Sequence, residues 1–261
     1  MDLDLAGRRV LVTGASKGIG LAVVRAFVAE GAYVVAGARS SSAELDELIA
    51  TGQVRHVAVD LSTADGPGQL VASALDGGAL DVLVNNVGAV TLRLDGFLTV
   101  TDEQWWASLN LTFMAAVRTT RAVLPGMLDA GRGSIVTVSS VNAFLPDPGV
   151  IDYSAAKAAL SNFCKSLSKE VGPRGIRVNT VDPGPVTTGL WLGTGGIAAT
   201  VATATGSNAE AIAEAQAAAA ATGRFTHPDE VANLVVLLAS DRAANVTGTG
   251  FTIDGGLITT L

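Results

Sequence analysis

Apolar residues in this chain fall into two alternating patterns. Short unbroken runs such as Val10-Leu11-Val12 and Val82-Leu83-Val84 are separated by longer stretches in which apolar side chains recur every three or four positions. Continuous apolar runs are what strands buried on both faces require, and the three-to-four spacing is that of a helix with one apolar stripe. The pattern predicts strands at 8–13, 33–38, 54–59, 82–85, 134–139, 177–181 and 250–253. Between them it predicts helices at 18–30, 43–50, about 68–75, about 102–130 with a bend near Pro125, about 151–171 and 229–239. Repeated β-α-β of this kind predicts an α/β fold: a doubly wound, Rossmann-type, mostly parallel sheet of about seven strands with helices on both faces. In such a sheet ligands bind beyond the carboxyl ends of the strands, at the point where the strand order reverses. Residues 187–224 break the rhythm. They are rich in Ala, Gly and Thr, with Ala217 to Ala221 in a row, and are too long for an ordinary connection, so they are expected to form a lid or a pair of structural helices. No linker or internal repeat is visible, and residues 1–261 are expected to form one domain.

Composition narrows the classes. A chain of 261 residues that is 49% hydrophobic and only 16% charged has material for a large covered core. The net charge of −7, with no basic block, argues against nucleic acid or an anionic membrane surface as a partner. No apolar run reaches the length of a membrane span, and the acidic N-terminus resembles no targeting peptide. The single Cys164 excludes an internal disulfide and fits a cytoplasmic location. His56 and His227 lie far apart with no Cys near either, so no metal site is expected.

The first strand-to-helix turn reads Thr13-Gly14-Ala15-Ser16-Lys17-Gly18-Ile19-Gly20. Glycines here let the backbone approach a pyrophosphate, and the helix N-terminus supplies N–H donors and positive potential. The run matches neither Gly-x-Gly-x-x-Gly nor a Walker loop. At the end of the second strand, an acidic residue would bind the ribose 2′-hydroxyl of NAD. The chain has uncharged Ala38, then Arg39 and Ser40, with Lys17 in the glycine loop. Two cations suit a 2′-phosphate, so the expected cofactor is NADP(H), with NAD(H) as the alternative.

The other informative feature is Tyr153 followed four residues later by Lys157. On a helix both side chains share a face. An ammonium beside a phenol favours the phenolate and would bring its pKa down from about 10 toward the working range. Two tyrosines and four lysines would meet at this spacing by chance only roughly 0.03 times.

Taken together and in order, these motifs resemble those of the short-chain dehydrogenase/reductase family over nearly the whole chain. Thr13 to Gly20 resembles its cofactor loop, and Asp60-Leu61 its adenine-contacting pair. Asn85-Asn86-Val87-Gly88 is similar to its Asn-Asn-Ala-Gly motif, with Val87 in place of Ala. Asn110 falls where the family has a helix asparagine, and Ser140 lies thirteen residues before Tyr153, as the family's catalytic serine does. Pro183-Gly184-Pro185-Val186-Thr187-Thr188 resembles the stretch that grips the nicotinamide carboxamide, and Asp254-Gly255-Gly256 resembles a C-terminal signature. Thr226 replaces a common Gly without an evident consequence.

The resemblance implies reversible hydride transfer between a nicotinamide and a carbonyl. Tyr153 would move the proton. Lys157 would tune Tyr153 and hold the ribose. Ser140, with Ser139 as its competitor, would bond the substrate oxygen, and Asn110 would hold a water linking Lys157 to solvent. It implies cofactor contacts from Gly14, Ser16, Lys17, Gly18, Ile19, Gly20, Arg39, Ser40, Asp60, Leu61, Asn86, Val87, Gly88, Pro183, Gly184, Val186 and Thr188, besides Tyr153 and Lys157. A homotetramer is expected on the same ground. The expected pocket wall of Phe144, Leu145, Leu190, Trp191 and Leu192, with Val90 and Phe97 nearby, is apolar and has no fixed cation. It favours an apolar ketone, aldehyde or secondary alcohol, with a 3-oxoacyl thioester as rival. A non-catalytic nucleotide-binding regulator is the alternative of another class.

Overall fold

The apolar runs assemble side by side into one parallel sheet. In the computed structural model, which describes residues 2–260, β1 (Arg9–Thr13) leads to α1 (Gly18–Ala29), β2 (Tyr33–Ala38), α2 (Ala43–Ala50), β3 (Val54–Ala58), α3 (Gly66–Leu75) and β4 (Val82–Asn85). Next come α4 (Asp102–Leu109), a π-turn (Asn110–Met114), α5 (Ala115–Ala130), β5 (Gly133–Val138), α6 (Ile151–Val171) and β6 (Ile176–Pro183). The chain closes with α7 (Gly189–Leu192), α8 (Ile197–Thr205), α9 (Ala209–Ala218), α10 (Pro228–Ala239) and β7 (Gly250–Ile253). The seven strands lie in the order β3-β2-β1-β4-β5-β6-β7, every neighbouring pair parallel.

Alternate residues of each strand enter opposite cores, as the two-residue period of a strand demands. Val10, Val12, Val82, Val84, Val136 and Val138 point to the side covered by α1 and α10. Leu11, Leu83 and Ile135 point to the side covered by α3, α5 and α6. The order reverses between β1 and β4, so the loops leaving these two strands flank the crevice. Among the described residues, no helix is long and apolar enough to cross a membrane.

Two expectations change. The helix predicted over 102–130 is interrupted at Asn110–Met114, where the Ala115 N–H donates to the Asn110 carbonyl, and Pro125 lies inside an otherwise continuous α5. A π-turn adds one residue locally and re-aims the helix beyond it. Here it coincides with Asn110, whose side chain is tied to the loop after β3, and with the buried Thr112. Second, α9 stops at Ala218, leaving most of the alanine run outside any helix. Helix propensity is a weak preference of tenths of a kcal/mol per residue. It yields to docking: the Thr222 N–H donates to the Gly255 carbonyl at 2.9 Å, Ala220 is buried, and Gly223 turns the chain at φ +67°. Residues 187–224, expected as a lid or a pair of structural helices, hold three helices, α7, α8 and α9.

Candidate active site

The crevice is built first from backbone. Thr13, the last residue of β1, accepts on Oγ1 from the Asn86 and Val87 N–H groups at 2.9 and 3.1 Å. Asn86 returns its amide N–H to the carbonyls of Thr13 and Gly14 at 3.0 and 3.1 Å. These bonds lock the β1 loop to the end of β4. Gly14 sits at φ +66°, and a Cβ there would lie 3.0 Å from both Asn86 and Val87; at Gly20 it would strike the Gly14 carbonyl. Only glycine permits this close approach. Beyond the turn Lys17 is the exposed N-cap of α1, and no side chain caps the helix. The first N–H groups of α1 therefore lack a side-chain acceptor, which is what a phosphate would use. Gly18 (φ +56°) lies against Thr188, bringing in the loop after β6. That loop is fixed in turn: Gly184 N–H donates to the Ile253 carbonyl at 3.0 Å, and Thr226 exchanges backbone bonds with Pro185 and Thr187. Thr226, which carried no evident consequence in the sequence, is a strut of this loop.

The remaining predicted contacts divide. Lys17, Arg39, Ser40 and Asp60 are exposed at the strand ends. Asp60 is held below the usual carboxylate range by hydrogen bonds from the Ser62 hydroxyl and N–H, and next by the nearby Arg39 charge. Leu61 and Val186 are buried in the two cores, so only their backbones can face a ligand. Gly88 lies beside Lys157 and Thr112, 3.8 Å from each measured from a Cβ position.

The second half of the site comes from β5 and α6. Ser140 follows β5 and caps a short turn through the Asn142 N–H at 3.2 Å. Ser154 joins the Asn142 side chain and the Asp147 N–H, both at 3.4 Å, pinning this turn to α6. Asp152 in the first turn of α6 is a favourable charge at a helix N-terminus. It pairs with Arg93 from the loop after β4, Nη2 to Oδ2 at 2.5 Å, and both groups are almost wholly enclosed. One turn apart on α6 stand Tyr153 and Lys157, with the Lys157 Nζ 5.6 Å from the Tyr153 ring centre. Lys157 is buried and donates to the Val138 carbonyl at 2.7 Å.

Burial and Ser140 are the first influences on the phenol. The Tyr153 side chain as a whole is half-buried, yet burial around its hydroxyl pushes it up to about 12, and the Ser140 hydrogen bond only partly offsets this. Burial draws Lys157 down to about 8, against the carboxylate of Asp182. Ser140 is thus the serine hydrogen-bonded to Tyr153. Ser139 turns into α6, bonding Ser161 at 2.7 Å. The Asn110 amide donates to the Ser62 carbonyl and accepts from Arg118 at 2.6 Å. Sequence reading missed Arg93–Asp152 and Asp182. The available signal was an acidic residue in each of two otherwise apolar or catalytic runs.

A family model for short chain dehydrogenases matches residues 8–195. A 3-oxoacyl-[acyl-carrier-protein] reductase of Thermotoga maritima is 35% identical over 98% of this chain and all of its own length. An L-xylulose reductase of Mesocricetus auratus is 36% identical over the whole of both chains. Among solved structures, L-sorbose reductase of Gluconobacter frateurii, complexed with NADPH and L-sorbose, superposes with a TM-score of 0.91 at 36% identity, covering all of both chains.

Proposed function

From the premise that the chain belongs to the short-chain dehydrogenase/reductase family of oxidoreductases, we propose that it interconverts a ketone or aldehyde and an alcohol on a largely apolar substrate, using NADP(H). The observation that carries this reading is the convergence of Ser140, Tyr153 and Lys157 on the crevice opened by the Gly14 turn. The glycine cradle and uncapped α1 suit a dinucleotide, and Lys17 and Arg39 suit its 2′-phosphate. When bound, the cofactor supplies or accepts the hydride. Ser140 donates a hydrogen bond where charge builds on the substrate oxygen. Tyr153 gives that oxygen its proton during reduction and takes it back during oxidation. Lys157 holds a positive charge next to the phenol. Exposed Phe144 and Leu145 after β5, and exposed Leu190 and Leu192 of α7, supply an apolar rim. Trp191 packs edge-on to Phe225 at 5.3 Å, which supports reading residues 187–224 as the lid of this pocket. The reading keeps the homotetramer as its assembly, with exposed Trp106 on α4 and Leu98 offering apolar surface.

The test is consumption of NADPH and of NADH against a panel of apolar ketones, 3-oxoacyl thioesters and sugar ketoses. Turnover fastest with NADPH and apolar ketones is expected; tight NADPH binding without turnover on any of them would favour the regulator instead. Replacing Arg39 with Asp should raise KM for NADPH by about tenfold or more, since a charge-assisted bond is lost and a repulsion gained. An unchanged KM would remove Arg39 from the site. Ser140→Ala should lower kcat by about 10²-fold, and Ser139→Ala by far less; the reverse ranking would exchange the two serines.

A further inference from the structure

Beside Lys157, between α6 and the carboxyl ends of β5 and β6, lies a polar cluster. Lys157, Ser161 and Cys164 recur at helical spacing on α6 and face β5 and β6. Opposite them on β6 is Asp182, 4% exposed in a strand whose neighbours Val178 and Val181 are fully buried. Asp182 adjoins Val181, the register partner of Val138, whose carbonyl receives the Lys157 ammonium. Its Oδ2 accepts from Thr180 Oγ1 at 3.2 Å, while its Oδ1 is buried without a partner. The carboxylate lines an open cavity of about 420 Å³ together with Ser161, Cys164, Thr180 and Gly250.

A buried carboxylate with an unpartnered oxygen is costly unless a cation answers it. The titratable groups around it are Lys157, Cys164 and Lys165 on α6, with Tyr153 beyond Lys157; β5, β7 and the Gly248–Thr249 loop contribute hydroxyls, carbonyls and amides. Lys165 lines the same cavity but is exposed and donates to the Gly248 carbonyl; the buried ammonium is Lys157, held at the Val138 carbonyl across from Val181. We propose that Asp182 is a positioning residue of the reaction, supplying the counter-charge that keeps Lys157 an ammonium while Lys157 acts on Tyr153. This rests on the proposed roles of Tyr153 and Lys157 in proton transfer. The influence is mutual: burial raises Asp182 to about 6, and the Thr180 bond and then Lys157 draw it back.

Above pH about 6 Asp182 is ionised and supports Lys157, whose own titration lies at about 8. Replacing Asp182 with Asn should move the Lys157 midpoint down by about one unit or more. Carbonyl reduction, followed as kcat/KM, should then fall at correspondingly lower pH, with about a tenfold deficit one unit above the new midpoint. Lys157 can be followed directly in the full chain by NMR of isotope-labelled lysine, because only Lys17, Lys165 and Lys169 share the spectrum; Lys157→Arg assigns its signal. A Lys157 midpoint unmoved in Asp182→Asn overturns the proposal, as does an equal loss of rate at every pH with a lowered Tm. A midpoint that moves while the pH–rate profile stays fixed instead removes Lys157 from catalysis, and the proposal falls with that reading. Should Asp182→Asn fail to fold, Asp182→Ser, smaller against Gly250, is measured in the same way.

Discussion

Tyr153→Phe is expected to lower kcat by about 10²–10⁴-fold, the span general acid–base catalysis supplies, with NADPH affinity nearly unchanged. The hydroxyl is the only atom removed, and its partner Ser140 keeps the Asn142 N–H and side chain as alternatives, so no new orphan is left in the site. The ring remains to pack beside Lys157. The loss should therefore fall on turnover, measured as single-turnover reduction, and spare the binding isotherm. The wild-type pH profile carries the same assignment. A phenol raised to about 12 is protonated at neutral pH, the form that reduction needs. Oxidation needs the phenolate, so below pH about 8, where Lys157 is still charged, oxidation should rise with pH while reduction stays flat. Full activity in Tyr153→Phe, or oxidation that ignores pH in this range, would move the proton chemistry to another group.

How much of this could be read from the chain depends on whether a feature is local. The strands were legible because Val10-Leu11-Val12 and its counterparts are unbroken apolar runs, and their placement between two helical layers explains why. The Gly14 turn and the Tyr153–Lys157 spacing were legible for the same reason: each occupies one loop or one helical turn. The π-turn at Asn110–Met114 was not, because Leu109 to Met114 has ordinary helical periodicity and the interruption accompanies an anchor 48 residues away at Ser62. Asp182 lies one residue beyond the strand expected over 177–181; β6 runs on through Pro183, which places the carboxylate inside the sheet.

The same non-locality governs Arg93 and Asp152, 59 residues apart in sequence, and it sets the largest stability effect expected of a single substitution. Arg93 donates from Nε and Nη2 to one carboxylate oxygen, at 3.2 and 2.5 Å, while the other oxygen is already buried without a partner. Arg93→Ala would leave both oxygens of Asp152 enclosed and unpaired beside Tyr153. The N-terminus of α6 compensates only in part, because a helix end contributes less than about 2 kcal/mol even when partly buried. Breaking a buried pair on one side costs about 3–5 kcal/mol, and a chain of this length loses roughly 2–4 °C per kcal/mol, so Tm should fall by on the order of 10 °C. Removing the carboxylate as well should return much of that loss, since the penalty lies in the stranded charge and not in the missing bond. A double-mutant cycle with Asp152→Ala, read by thermal melting, measures the coupling. If Arg93→Ala melts with the wild type, water reaches Asp152 and the pair is not enclosed. If it melts low and the double variant melts equally low, the loss comes from the packing of the enclosed Arg93 side chain and not from a stranded charge, since the Arg93 N–H that holds the Gly149 carbonyl at 2.8 Å survives in both variants. Where the single variant melts low and the double variant recovers, kcat/KM of Arg93→Ala should fall along with Tm, because the turn that bears the stranded charge is the one that aims Tyr153.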